Sequence, residues 1–211
     1  MTVTRGRLIA LEGIDGCGKS TQARIVSERL GALSTFEPGA TALGASLRAL
    51  LLGRDGAPVA DRAEALLMAA DRAQHVAEVI VPELESGRWV VTDRFAASTL
   101  AYQGFGRGLD REELAALVGW ATDGLRPDLT VLLDLPVSVA AARRTGTVDR
   151  MESEASAFHQ RVADGYLALA ESADDPWLVV DATEAPESVA AVIWGAVETL
   201  AGPGGPPGAD R

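Results

Sequence analysis

Residues 13 to 21 read GIDGCGKST, and four of them, Gly13, Gly18, Lys19 and Ser20, stand at the spacing of a phosphate-binding loop. An apolar run precedes the loop and a helical pattern follows it, the context such a loop needs. The glycines permit tight curvature, so successive amides can point at phosphate oxygens while the next helix adds positive potential at its N-terminus. On this reading ATP is held by Gly13, Ile14, Asp15, Gly16, Cys17, Gly18, Lys19, Ser20 and Thr21. Lys19 reaches the β- and γ-phosphates and the Ser20 hydroxyl joins a Mg²⁺ shell. Lys19 is the one lysine of the chain; the other 18 basic residues are arginine. A compact ammonium fits between phosphates where a planar guanidinium does not.

The loop also contains a carboxylate, Asp15, which would repel phosphate unless its side chain serves a second substrate. Asp93 and Arg94 end the apolar run WVVTD. Asp93 is placed to support Mg²⁺ together with Ser20, and Arg94 to clamp a second phosphate. Further on, ARRTGTVDRMESE (142–154) gathers Arg143, Arg144 and Arg150 around a glycine. That is a poor core sequence and a good mobile lid, whose arginines would stabilise a transferring phosphoryl group on closure.

These groups need a scaffold that collects them. Five β-rich apolar runs, at 7–12, 32–37, 89–93, 129–134 and 177–181, alternate with helical patterns at 20–30, 43–52, 60–85, 111–122, 137–144, 152–172 and 186–200. Continuous apolar strands alternating with amphipathic helices imply an α/β fold with a parallel sheet covered on both faces. Three of the runs end in aspartate, at the strand ends where such sheets gather ligands. The expectation is therefore a P-loop NTPase fold: a five-stranded parallel sheet flanked by helices, one domain over 1–200, with the lid at 142–154. The tail 201–211, rich in Gly and Pro, has little to pack and is expected to be disordered.

With 47% hydrophobic and 23% charged residues the composition is that of a globular domain, and a formal net charge of −11 argues against tracking long nucleic acid. The first apolar run is too short for a signal or a membrane span, so a cytoplasmic location is expected. The single cysteine, Cys17, leaves no intrachain disulfide. His75 and His159 read as structural residues.

The segments LEGIDGCGKSTQA, EPGATALG, AADRAQH, DRF, STLAYQGFGRG, GLRPDLTVLLDLP, DRMESE and FHQRVADGYLALA, taken together and in this order, resemble the thymidylate kinase family over about residues 7 to 200. The resemblance implies transfer of phosphate from ATP to dTMP, with Mg²⁺, in a homodimer. It implies that Asp15 faces the acceptor 3′-hydroxyl and that Arg94 and Arg48 hold the acceptor phosphate. Arg72 would bond the base O4, Thr99 and Gln103 would read the rest of the base edge, and Tyr102 would sit against the sugar. Glu37 would lie near the metal and acceptor phosphate. Gly after Asp15, combined with lid arginines, resembles the bacterial subtype whose catalytic arginine comes from the lid. Arg143, Arg144 and Arg150 remain equal candidates for it.

Two positions depart from the family pattern. Met68, one turn before Arg72, stands where an aromatic residue usually covers the base, and FEPGAT replaces REPGGT, so that Phe36 stands for an arginine. They leave a kinase for dUMP or a modified pyrimidine monophosphate as the alternative. A nucleotide-binding module without an acceptor is the alternative of another class; the chain has no guanine-reading N-K-x-D segment.

Overall fold

The computed structural model describes residues 4–53, 58–143 and 149–202. Strands β1 (Leu8–Glu12), β2 (Leu33–Phe36), β3 (Val90–Asp93), β4 (Leu129–Asp134) and β5 (Trp177–Asp181) form one parallel sheet in the order β2-β3-β1-β4-β5. The expected fold is observed, each strand within a residue of its expected bounds. The order arises because the chain leaves β1 first to one edge and later to the other, so β1 lies at the switch point where ligands bind. Register aligns the chemistry: Asp93 pairs with Leu11 of β1 and with Phe36 of β2, just below the phosphate loop.

All five residues of β1 are buried, including Glu12. Apolar side chains of β1, β3 and β4 face helices on both sides, forming two cores. The larger includes Ile9, Leu11, Val131, Leu133, Tyr166 and Ile193; the smaller includes Leu8, Ala10, Ile80, Leu84 and Phe95. The covering helices are α1 (Lys19–Leu30), α2 (Ala42–Leu52), α3 (Asp61–His75), α4 (Val81–Glu85), α5 (Ala96–Thr99), α6 (Arg111–Ala121), α7 (Val137–Arg143), α8 (Ser156–Ser172) and α9 (Pro186–Ala201).

Three helical expectations are corrected. The segment expected as one helix over 60–85 passes through a π-helical turn, Val76–Ile80, between α3 and α4. Pro82, which has no N–H to continue the ladder, stands in the first turn of α4. The helix expected from 152 starts at Ser156. Ahead of it Asp149 and Glu152 cap each other around a single turn: the Glu152 amide donates to Asp149 Oδ1 at 2.8 Å and the Asp149 amide to Glu152 Oε2 at 3.0 Å. Finally, 96–106, assigned no element from the sequence, is helical throughout, α5 continuing as a π-helical segment Leu100–Gly106. Arg144 and most of the expected lid tip, 144–148, lie outside the described residues, as does 203–211 of the expected tail.

Candidate active site

Above the sheet's C-terminal ends the chain turns from β1 into α1 through the GIDGCGKST loop. Gly13 (φ 139°) runs so close to β4 that a Cβ there would lie 2.7 Å from the Leu133 carbonyl oxygen and 2.8 Å from Cys17 Sγ. Gly18 (φ 100°) caps α1, leaving the first helical amides open above the loop. Lys19 is buried and folds back inside the loop, its Nζ donating to the Ile14 carbonyl at 2.9 Å. The Ser20 hydroxyl donates to Asp93 Oδ2 at 2.5 Å. This places the two expected metal-supporting groups side by side, although they come from α1 and β3. A hydroxyl next to one carboxylate, both oxygen donors, suits a Mg²⁺ that takes its remaining ligands from phosphate and water.

Asp15 does not face the loop amides. Its Oδ1 accepts from the Arg94 guanidinium and its Oδ2 from the Tyr102 hydroxyl at 2.7 Å. Burial opposes its ionisation, but the charges of Arg94 and Lys19 and these hydrogen bonds outweigh that cost and hold its carboxyl well below the usual range. A carboxylate depressed in this way favours the folded state above its unfolded value, near 4, and that contribution is lost as pH falls through the folded value. Asp15→Asn is therefore expected to lower the melting temperature at pH 7, with the gap to wild type closing below about pH 4. A gap that stays constant down to pH 3 would contradict the ionic pairing.

Arg94 adopts the left-handed backbone region (φ 75°) at the end of β3, a conformation that costs a non-glycine residue about 1–3 kcal/mol. The turn aims its guanidinium back over the sheet. One nitrogen donates to the Gly13 carbonyl (3.1 Å), Ser98 Oγ (3.0 Å) and the Tyr166 hydroxyl (3.1 Å), the other to Asp15 and the Tyr102 hydroxyl (3.0 Å). Beneath it lies Glu12, which reading of the sequence did not single out. Its Oε1 accepts from the amides of Phe95 (2.9 Å) and Ser98 (3.2 Å), and its Oε2 from the hydroxyls of Ser98 (2.6 Å) and Tyr166 (3.1 Å). A carboxylate closing the otherwise apolar strand LIALE was the available signal. Burial raises the Glu12 carboxyl above its ordinary value, against the lowering effects of Ser98 and Arg94.

Two depressions meet here. One follows the loop and is bordered by Gly16, Gly18, Lys19, Ser20, Thr21 and Arg143 among others. The second is flanked by Met68, Arg72, Thr99, Tyr102, Gln103 and Met151. Asp15, Glu37, Arg48 and Arg94 border both. Arg72 is buried and its guanidinium is fixed by Glu37 Oε2 (2.8 Å), Thr99 Oγ1 (2.8 Å) and the Phe95 carbonyl (2.9 Å). Glu37 also bonds His75 Nδ1 at 2.9 Å, so both its oxygens are engaged on the Arg72 side. His75 reaches Thr35 Oγ1 (2.7 Å) with its other nitrogen, and His159 meets the Glu152 carbonyl (3.3 Å). Met68 and Arg72, one turn apart on α3, flank the same depression. Phe36 is half-exposed beside the loop, with the Arg48 guanidinium 5.8 Å from its ring centre.

The described lid arginines part company. Arg143 borders the phosphate-loop cleft and donates to the carbonyls of Ala182 (2.7 Å) and Thr183 (3.2 Å). Arg150 lines neither depression; between Asp149 and Met151, which border the second, it donates to the Leu51 carbonyl (2.7 Å) and to buried Glu64 (2.6 Å).

A phosphate loop at the switch point of a parallel sheet, sharing two arginines with a second polar cavity, defines a P-loop kinase of small molecules. Residues 11–193 match the family model described as thymidylate kinase. Proteins named thymidylate kinase from Carboxydothermus hydrogenoformans (48% identical, 94% of this chain and 100% of the relative), a Synechococcus species (50%, 89% and 95%) and Alkalilimnicola ehrlichii (49%, 89% and 90%) align along nearly their whole lengths. The chain belongs to the thymidylate kinase family.

Proposed function

We propose that this enzyme transfers the γ-phosphoryl group of ATP to dTMP, giving dTDP. The observation that carries the reading is the common wall of the two cavities: Arg94 and Asp15 border both the phosphate-loop cleft and the Met68–Gln103 cavity. An acceptor phosphate on Arg94 and Arg48 is then adjacent to the donor phosphates on the loop. Charge-assisted bonds from both arginines fix the attacking oxygen, so that positioning supplies much of the rate. Lys19 and the loop amides hold the donor phosphates. Ser20 and Asp93 would hold Mg²⁺, which neutralises charge on the donor phosphates when bound. Asp15 presents a carboxylate to the acceptor sugar, beside Tyr102. Arg72, whose terminal nitrogens each keep an N–H beyond its three bonds among the described residues, faces the base edge along with Thr99 and Gln103, and Met68 covers the ring. Positive charge arriving from the lid, from Arg143, Arg144 or Arg150, completes the site on closure.

No general base is needed, because a nucleoside monophosphate is already largely dianionic above its second pKa, near 6. The test is ADP formation from ATP and Mg²⁺ with dTMP, dUMP, dCMP, UMP and no acceptor, each at equal concentration. Strong preference for dTMP is expected, and its kcat/KM should decline below about pH 6 as the acceptor phosphate protonates. Preference for dUMP would transfer the same chemistry to the alternative acceptor, to which Met68 in place of an aromatic residue points. No acceptor-dependent turnover would leave a nucleotide-binding module. Homodimerisation, implied by the family, is part of this proposal; Leu43 and Leu50 on α2 and Leu66 on α3 are exposed apolar residues that suit it. Among the described residues no helix is long and apolar enough to cross a membrane.

A further inference from the structure

Glu64, in the first turn of α3, is fully buried, yet it is no part of the sites assigned above. Its Oε1 accepts from Gln103 Nε2 (2.8 Å) and Arg107 Nε (3.3 Å). Its Oε2 accepts from Arg107 (3.2 Å) and Arg150 (2.6 Å). Burial opposes its ionisation, but the hydrogen bonds from Arg107, Gln103 and Arg150 outweigh that and keep its carboxyl below the ordinary value. An ionised carboxylate can only accept. The Gln103 side chain must therefore turn its NH₂ to Glu64, and its carbonyl oxygen has the opposite heading. That carbonyl accepts no hydrogen bond among the described residues, and Gln103, itself buried, borders the acceptor cavity.

We propose that Glu64 is a specificity-positioning residue: by holding the NH₂ of Gln103 it presents the amide carbonyl to the acceptor base and selects bases that offer an N–H there. This rests on the reading of the cavity as a pyrimidine monophosphate site. Thymine and uracil carry a hydrogen on N3, whereas the N3 of cytosine is an acceptor and would face the carbonyl lone pairs. A free amide could flip to serve either. The fixed one cannot, because flipping would set its oxygen against the carboxylate.

The test compares kcat/KM for dTMP with that for 5-methyl-dCMP, which keeps the methyl group and reverses the base edge. In Glu64→Gln the partner amide can accept or donate, so Gln103 is released from one orientation. The dTMP preference should fall at least tenfold in this variant and persist in Glu64→Asp, which still only accepts. Equal losses on both acceptors, with the preference intact, would reduce Glu64 to a structural role and overturn the proposal. Should Glu64→Gln not fold, amide proton exchange in the unsubstituted protein decides. The Gln103 NH₂ protons should exchange at least tenfold more slowly than those of exposed Gln160, and equal rates would overturn the assignment. Wild-type activity separates the two levels: absence of dTMP turnover in the unsubstituted enzyme refutes the acceptor reading itself, whereas an unchanged preference in an active variant refutes only the role of Glu64.

Discussion

Replacing Arg94 by alanine is expected to lower kcat/KM for dTMP at least tenfold, a loss of about 1.4 kcal/mol or more of transition-state stabilisation. The reason lies in how completely the guanidinium is pre-positioned. The chain holds Arg94 at φ 75°, and five acceptors from the loop, α5, the following π-helical segment and α8 pin its two terminal nitrogens. Glu12 in turn orients the Ser98 and Tyr166 hydroxyls that receive two of those bonds. Four terminal N–H groups already serve five acceptors, so an acceptor phosphate would bind through Nε–H or in place of one of them, while the network keeps the positive charge itself in position for transfer. Arg94→Lys keeps the charge but lacks the planar fork and should recover only part of the loss. The KM for ATP should change less than the KM for dTMP, because in the proposed reaction Lys19 and the loop amides would hold the donor and Arg94 the acceptor. Near-normal turnover in Arg94→Ala, with a normal melting curve, would remove Arg94 from the acceptor clamp.

The same network explains what could and could not be read from the sequence. The strands were legible because β1, β3 and β4 are continuous apolar runs, and the phosphate loop because its spacing between strand and helix is specific. The helix over 96–106 was not. Wedged between the sheet, α6 and α8, it is buried almost all round and shows no apolar stripe. Its polar members Ser98, Thr99 and Gln103 turn inward to the site, the reverse of the amphipathic pattern. The types of Thr99, Tyr102 and Gln103 were readable, but the element that presents them was not. Glu64 was hidden for a different cause. In DRAEALLMAADR it looks like one more solvated charge in a helical first turn, and only the distant Gln103, Arg107 and Arg150 make it a buried hub. Asp15 lies between these cases: its misfit in a phosphate loop signalled a second partner, and its bonds to Arg94 and Tyr102 turn it towards the Met68–Gln103 cavity.

Lys19→Arg is expected to be nearly as damaging as Lys19→Ala, each lowering kcat by roughly a hundredfold or more, the scale seen when a preorganised charge-stabilising donor is lost. The loop holds the ammonium closely. Gly13 already lies against the Leu133 carbonyl and Cys17, and the Lys19 ammonium is enclosed within the loop, 2.9 Å from the Ile14 carbonyl and 3.8 Å from Cys17 Sγ. A compact ammonium with three donors can exchange the Ile14 carbonyl for phosphate oxygens with a small movement of a flexible stem. A guanidinium must keep its planar fork intact and would either push the loop outward or swing clear of it. Charge alone is therefore not the requirement, and the chain's use of arginine at all 18 other basic positions is consistent with a geometric demand at this one. The discriminating measurement is single-turnover phosphoryl transfer at saturating ATP, which removes weakened donor binding from the comparison. An arginine variant with full single-turnover rate would show that the loop accommodates a guanidinium and that the lysine serves only by its charge.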